Sequence, residues 1–143
     1  MWKRKYVARR SGFEDRIEKQ LKEAGVKYEY EPDTIEFRRT VNSGECPECG
    51  HTKVVQRRRY TPDFRITVGD HTYYVETKGR LTGTNAGNLQ AIKKQHPDLD
   101  LRLLFQSDNL RVRGKPASGR YSDWAKKYGF VFAVGGVPND WLS

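Results

Sequence analysis

A mixed α/β domain built around one central sheet is what this sequence predicts, and two observations predict it. One is the alternation of two hydrophobic periods along the chain, helical in some segments and strand-like in others. The other is their order, which reads helix, several strands, helix, strand, helix, strand. With 143 residues the chain is long enough for one domain with a real core and too short for a second full one.

The first helix is expected from Ser11 to Ala24. Ser11 suits the N-cap, Glu14 completes a capping-box pattern, and Phe13, Ile17, Leu21 and Ala24 recur at helical spacing before the stop at Gly25. Val26, Tyr28 and Tyr30 alternate with polar residues, as in a half-buried strand. Ile35 to Val41 and Lys53 to Tyr60 read as two strands of a hairpin whose tip is the turn-rich NSGECPECGH, residues 42–51. Asp63 to Val68 and Thr72 to Thr77 form the next pair around Gly69-Asp70. Residues Leu81 to Asn88 read as a polar, glycine-containing loop, and Leu89 to Gln95 as a short helix ended by His96-Pro97. Leu99 to Phe105 is an apolar strand, Ser122 is expected to cap the helix SDWAKKYG, and Phe130 to Val134 makes the last strand.

Composition narrows the function. Lysine and arginine number 27 against 18 acidic residues, a formal charge of +9. A domain so charged repels itself unless an anion answers it, and nucleic acid phosphate is the usual answer. Three Trp, eight Tyr and six Phe argue against wholesale disorder. No stretch approaches the roughly 20 apolar residues that span a bilayer, and the basic start MWKRKYVARR has no apolar segment after it to make a secretory signal. A cytoplasmic protein without a membrane partner is expected. The N-terminal arm, with Lys3, Arg4, Lys5, Arg9 and Arg10, and the later cluster Arg111, Arg113, Lys115 and Arg120 are candidate DNA contacts.

The chemistry is expected in YTPDF and VETKG. Asp63 opens one strand, and Glu76 and Lys78 stand two apart on the next, so a hairpin would bring all three to one end of the sheet. Converging carboxylates need a cation, and an oxygen donor set completed by water suits Mg²⁺. Such an ion activates water and offsets charge on a phosphodiester, while a lysine orients the water or neutralises the phosphate. Thr77, between the two, is expected to face the other side of the strand without a role.

Asp63, twelve intervening residues and then Glu-x-Lys resembles the PD-(D/E)xK nuclease signature. RSGFED, YTPDF, VETKG, QHPDLDLRLLF and PNDW, in this order, resemble the phage endonuclease I family, the Holliday-junction resolvases of podoviruses. The resemblance implies a restriction-endonuclease-like core with a mixed central sheet flanked by helices, in an intertwined, domain-swapped homodimer. It implies an active site of Asp63, Glu76, Lys78 and Glu14, the last from the same or the partner chain, acting with Mg²⁺ or Mn²⁺ on branched DNA rather than on a small molecule. Taken by itself, without the resemblance, Glu14 reads as a capping residue rather than a catalytic one. A nuclease that nicks duplex DNA, with or without sequence preference, and a non-enzymatic zinc-knuckle DNA-binding module remain alternatives.

Two segments depart from the family. RLTGTNAGN follows VETKG where the family carries a basic stretch, and an added segment at residues 42–53 contains Cys46-Pro47-Glu48-Cys49-Gly50-His51. A CPxCG turn points two thiolates at one metal, but structural zinc takes four ligands. His51 is a third candidate, although it stands close to Cys49 for tetrahedral geometry. Two knuckles meeting at a twofold axis would complete a shared four-cysteine zinc site. The rivals are a knuckle without metal and a redox thiol pair.

Overall fold

The computed structural model describes residues 12–42 and 53–143. Helix α1 (Gly12–Ala24) presents Phe13, Ile17 and Leu21 as one buried stripe, as its periodicity predicts. Strands β1 (Lys27–Tyr30), β4 (Phe64–Val68), β5 (His71–Lys78), β6 (Leu101–Phe105) and β7 (Val131–Val134) form a five-stranded sheet in the order β1-β4-β5-β6-β7. The β1/β4 and β4/β5 pairs are antiparallel, whereas β5/β6 and β6/β7 are parallel. Parallel neighbours need a crossover, and helices α2 (Gly83–Gln95) and α3 (Tyr121–Lys127) lie in the two crossovers.

The sheet separates two cores. On one face, Phe13, Ile17 and Leu21 of α1 meet Phe64, Ile66, Tyr73, Val75 and Leu104, and the C-terminal Trp141 closes over them. On the other face, Leu89 and Ile92 of α2 and Trp124 of α3 pack on Leu101, Leu103 and Phe105. Strand alternation makes this division: successive β5 side chains point to opposite faces. Tyr73, Val75 and Thr77 therefore look toward α1, and Tyr74, Glu76 and Lys78 toward α2.

Three expectations are corrected. The hairpin of β2 (Ile35–Asn42) and β3 (Lys53–Tyr60) does not join the central sheet but forms a two-stranded sheet of its own. Its inner row, Ile35, Phe37 and Tyr60, packs on the α2-side core, because an isolated hairpin needs a body to lie on. The C-terminal end of α2 fastens it. The side-chain amide of Gln95 donates to the carbonyl of Arg38 (2.6 Å) and accepts from its N–H (2.8 Å).

Helix α2 starts at Gly83, where a loop was expected up to Asn88. Thr82 is its N-cap, accepting from the N–H of Asn85 at 3.1 Å. A sequence such as GTNAGN is a poor helix former, and here tertiary packing overrides propensity. Arg39 lies across the helix and donates to the carbonyl of Thr84 (3.0 Å) and to Oδ1 of Asn88 (2.7 Å). A Cβ on Gly87 would clash with its guanidinium, so a larger residue there must displace Arg39.

Ser122 is not the cap of α3. Arg120 is the N-cap, with its N–H donated to the carboxylate of Asp123 at 2.8 Å. Ser122 instead bonds Asp108 through both its N–H and its hydroxyl. The Gly69-Asp70 turn is as expected, with Gly69 at φ +60°. No helix among the described residues is long and apolar enough to cross a membrane.

Candidate active site

Three backbone devices set the position of Asp63. Pro62, fully buried, fixes its own φ and holds Thr61 extended. The N–H of Glu31, at the end of β1, donates to the carbonyl of Asp63 at 2.8 Å. Glu31 does so from φ +50°, a conformation uncommon outside glycine. Phe64 then enters β4 opposite Val75, which leaves Asp63 just outside the strand, beside the end of β5.

The Asp63 carboxylate is held by Thr77. One oxygen, Oδ2, accepts from the N–H of Thr77 at 2.8 Å and from its hydroxyl at 2.7 Å. Thr77 does face away from Glu76 and Lys78, as expected, but it is not idle. The missing signal was the loop geometry of Asp63, which turns the carboxylate toward the strand end.

Glu76 is only 6% exposed, and each of its oxygens has a partner. Oε1 accepts from the Tyr60 hydroxyl at 2.6 Å, and Oε2 pairs with Nζ of Lys78 at 3.0 Å. The backbone N–H of Asp63 also donates to this carboxylate. Tyr60 was not singled out from the sequence. It closes the β2–β3 hairpin, so the hairpin is rooted in the site.

Burial and like charge raise both acids. Burial first, and then the negative charge of Glu76, push Asp63 up to about 7, against the two bonds from Thr77. Burial raises Glu76 as well, opposed first by Lys78 and then by the Tyr60 hydroxyl. Burial, with Glu76 adding to it, drives Tyr60 well above the usual phenol range.

Glu14 reaches this centre from α1 of the same chain. It accepts from the Tyr30 hydroxyl at 2.8 Å, and its charge adds to the rise at Asp63. The four expected site residues are thus brought to one end of the sheet. Ser11, the expected cap of α1, lies outside the described residues.

A divalent cation was expected here. Among the described residues no group of three or more His, Cys, Asp or Glu could hold one by itself. Mg²⁺, however, is commonly bound by one or two carboxylates, completed by water and substrate phosphate. Two mutually repelling buried carboxylates, one of them pushed up to about 7, make an oxygen donor set short of positive charge. In that respect Asp63 and Glu76 fit such an ion.

Directly after Lys78 the chain enters a groove of about 930 Å³. Gly79 to Gly83 line one side, and Asn109 to Gly114, Arg120 and Tyr121 line the other. Arg80, Arg111, Arg113 and Arg120 make it basic. The guanidinium of Arg111 lies 5.8 Å from the Trp124 ring centre, and its Nε is buried with no hydrogen-bond partner among the described residues. Arg120 donates to the carbonyl of Asp108 at 2.8 Å. Of the expected basic cluster only Lys115 stands outside the groove lining. Lys3, Arg4, Lys5, Arg9 and Arg10, together with Cys46, Cys49 and His51, lie outside the described residues.

Comparison with known proteins agrees with these motifs. The phage endonuclease I family matches residues 2–143. The chain is 35% identical to "Endonuclease I" of Escherichia phage T7 over 140 residues, covering 97% of this chain and 81% of that protein. It is 36% identical to "Endodeoxyribonuclease 1" of Enterobacteria phage T3 over 130 residues, covering 90% of this chain and 73% of that protein. With the match running through the segments that build the site, the chain belongs to the phage endonuclease I family.

Proposed function

We propose that the protein is a structure-selective DNA endonuclease of the host cytoplasm. It would resolve four-way junctions and other branched DNA by metal-dependent hydrolysis of phosphodiester bonds. The observation that carries this reading is the pairing of the buried carboxylates Asp63 and Glu76 with Lys78, at the mouth of a groove lined by arginines. The family relationship supports the nuclease chemistry, and the phage T3 relative, an endodeoxyribonuclease by name, supports DNA as substrate.

Asp63 and Glu76 would hold Mg²⁺ or Mn²⁺, with Glu14 a further carboxylate whose charge reaches Asp63. The bound ion would supply an activated water and charge stabilisation. Thr77 fixes one oxygen of Asp63 and leaves the other for the ion. Tyr60 keeps Glu76 on the α2 side of the strand. Lys78 offers a cation beside Glu76, suited to orient the water or to meet the charge on the phosphate. Arg80, Arg111 and Arg113 would take backbone phosphates.

Cleavage of a labelled four-way junction and of its component duplexes, with Mg²⁺ added and withheld, tests this. Nicking of the junction only with the ion present, and its loss in Asp63→Ala or Glu76→Ala with DNA binding kept, is the expected result. Equal cleavage of junction and duplex would replace the reading with a nicking nuclease; no cleavage of any substrate would end it.

We also propose a homodimer carrying a structural zinc between two Cys46-Cys49 knuckles. The support is the chemistry of the CPECGH segment, which offers one chain too few ligands. Native mass and metal content of unchelated protein decide it: one zinc per two chains is expected, and a zinc-free dimer would sink it.

A further inference from the structure

The β2–β3 hairpin carries two classes of arginine. Cross-strand partners share a face, so the register sorts them. On the inner row, Arg39 and Arg58 both donate to Oδ1 of Asn88, at 2.7 and 2.9 Å. These two are structural: they bolt the hairpin to α2.

The outer row differs. Arg59, Arg57 and Lys53 of β3 and Arg38 of β2 fall on the face opposite Ile35, Phe37 and Tyr60, and all are exposed, with Arg38 and Arg57 bordering an open groove beside Gln95 and His96. Arg38 and Arg57 are direct cross-strand partners. Like charges in that position destabilise a sheet. Neither side chain has an acidic partner among the described residues. Arg38 is bonded only through its backbone, to Gln95. The one acid on this face, Glu36, stands 3.7 Å from Arg59, and both side chains are more than 70% exposed, so the pair contributes little.

Charge on an exposed hairpin also has a simpler use, keeping it from pairing with other strands. A mixture of signs does that without self-repulsion. Four cations against one acid, two of them face to face, is an arrangement completed by an anion.

The form of the row indicates which anion. From Lys53 to Arg59 a strand rises roughly 20 Å, the length over which one strand of a duplex presents about six phosphates. The row also begins at the candidate active site. Arg59 precedes Tyr60, whose hydroxyl holds Glu76 at 2.6 Å, and Thr34 bonds Thr61 across the hairpin root at 3.2 Å. The outer row thus leads outward from Glu76, on a different part of the surface from the groove lined by Arg80, Arg111 and Arg113.

We infer that the outer face of this hairpin is a second nucleic-acid surface, binding the phosphate backbone of a duplex arm that leaves the active site. The inference rests on the endonuclease reading for the choice of DNA as the anion. It adds a surface which the motifs did not indicate, and one that holds backbone without reading sequence.

The test is equilibrium binding of a fluorescent four-way junction, without divalent cation, across a salt series. The triple variant Arg38→Gln, Arg57→Gln, Arg59→Gln should bind about tenfold or more weakly at low salt, with the slope of log affinity against log salt smaller by about 2 to 3. The matching triple lysine variant should keep the wild-type slope. Since all three side chains are exposed, the melting temperature should stay put and report an intact fold. Unchanged affinity and slope in the glutamine variant, with binding lost in Arg111→Gln/Arg113→Gln, would overturn the inference. Failure of the endonuclease reading would appear separately, as wild-type protein that binds DNA but cleaves none when Mg²⁺ is added.

Discussion

Thr77 gives both its backbone N–H and its hydroxyl to a single oxygen of Asp63. Two donors on one oxygen favour the ionised carboxylate, against the burial that disfavours it. Thr77→Val keeps the shape and removes the hydroxyl. Single-turnover cleavage should slow by about tenfold, the equivalent of one charge-assisted hydrogen bond of about 1.5 kcal/mol. The acid limb of the pH profile should move to higher pH, because a donor that favoured the charged form is gone. Thr77→Ser should restore both rate and profile.

A second prediction concerns stability and pH without divalent cation. Asp63 takes up its proton near 7 in the folded chain, against an ordinary value of 3.8. Between these values the folded state binds more protons than the unfolded one. Stability at this site therefore falls as pH rises from about 4 to about 7 and is level above that. Asp63→Asn, which can still accept from Thr77, should melt higher than wild type at pH 8 and lose that advantage near pH 4. Added Mg²⁺ should raise the melting temperature of wild type at pH 8 and leave that of the variant nearly unchanged. Thermal melts at the two pH values, with and without the ion, check this.

Tyr60→Phe removes the 2.6 Å bond to Glu76 but keeps the ring in the core. Glu76 would then be held by Lys78 and the Asp63 N–H alone. We expect roughly tenfold slower cleavage, with a higher Mg²⁺ concentration for half-maximal rate. An unchanged Mg²⁺ dependence in a rate titration would show that Tyr60 serves only to fill space.

Gly87 makes a prediction for the scaffold. Alanine in a helix interior is worth about 1 kcal/mol over glycine. At position 87, however, its Cβ would displace the Arg39 guanidinium, which bonds Thr84 and Asn88. Gly87→Ala should therefore lower the melting temperature of the wild-type chain and raise it in an Arg39→Ala background. A double-mutant cycle by thermal or urea unfolding measures the reversal.

Local signals are the ones legible in the sequence. α1 was legible because its stripe, Phe13, Ile17 and Leu21, is written at helical spacing. The β4–β5 hairpin was legible from Gly69-Asp70 between alternating runs. Asp63, Glu76, Lys78 and Glu14 could be picked out because their motifs are short and contiguous. The start of α2 was hidden, since Gly83, Asn85 and Gly87 are weak helix formers and the stabilising contact comes from Arg39, far away in sequence. Tyr60 and Thr77 were hidden for a related reason: their partners are set by strand pairing and by the turn at Pro62. The outer arginine row became visible only once the register of β2 and β3 had separated it from the inner one.

The amide of Gln95 engages both backbone groups of Arg38 at once. A side chain that donates to the carbonyl and accepts from the N–H of the same residue imitates a neighbouring strand. At that point β2 is closed to extension, since an incoming peptide would find its hydrogen-bonding groups already taken. The edge of a separate two-stranded sheet would otherwise be an open template for sticking to its own kind. One glutamine at the end of a helix serves as a stopper there, and it leaves the charged outer surface unobstructed.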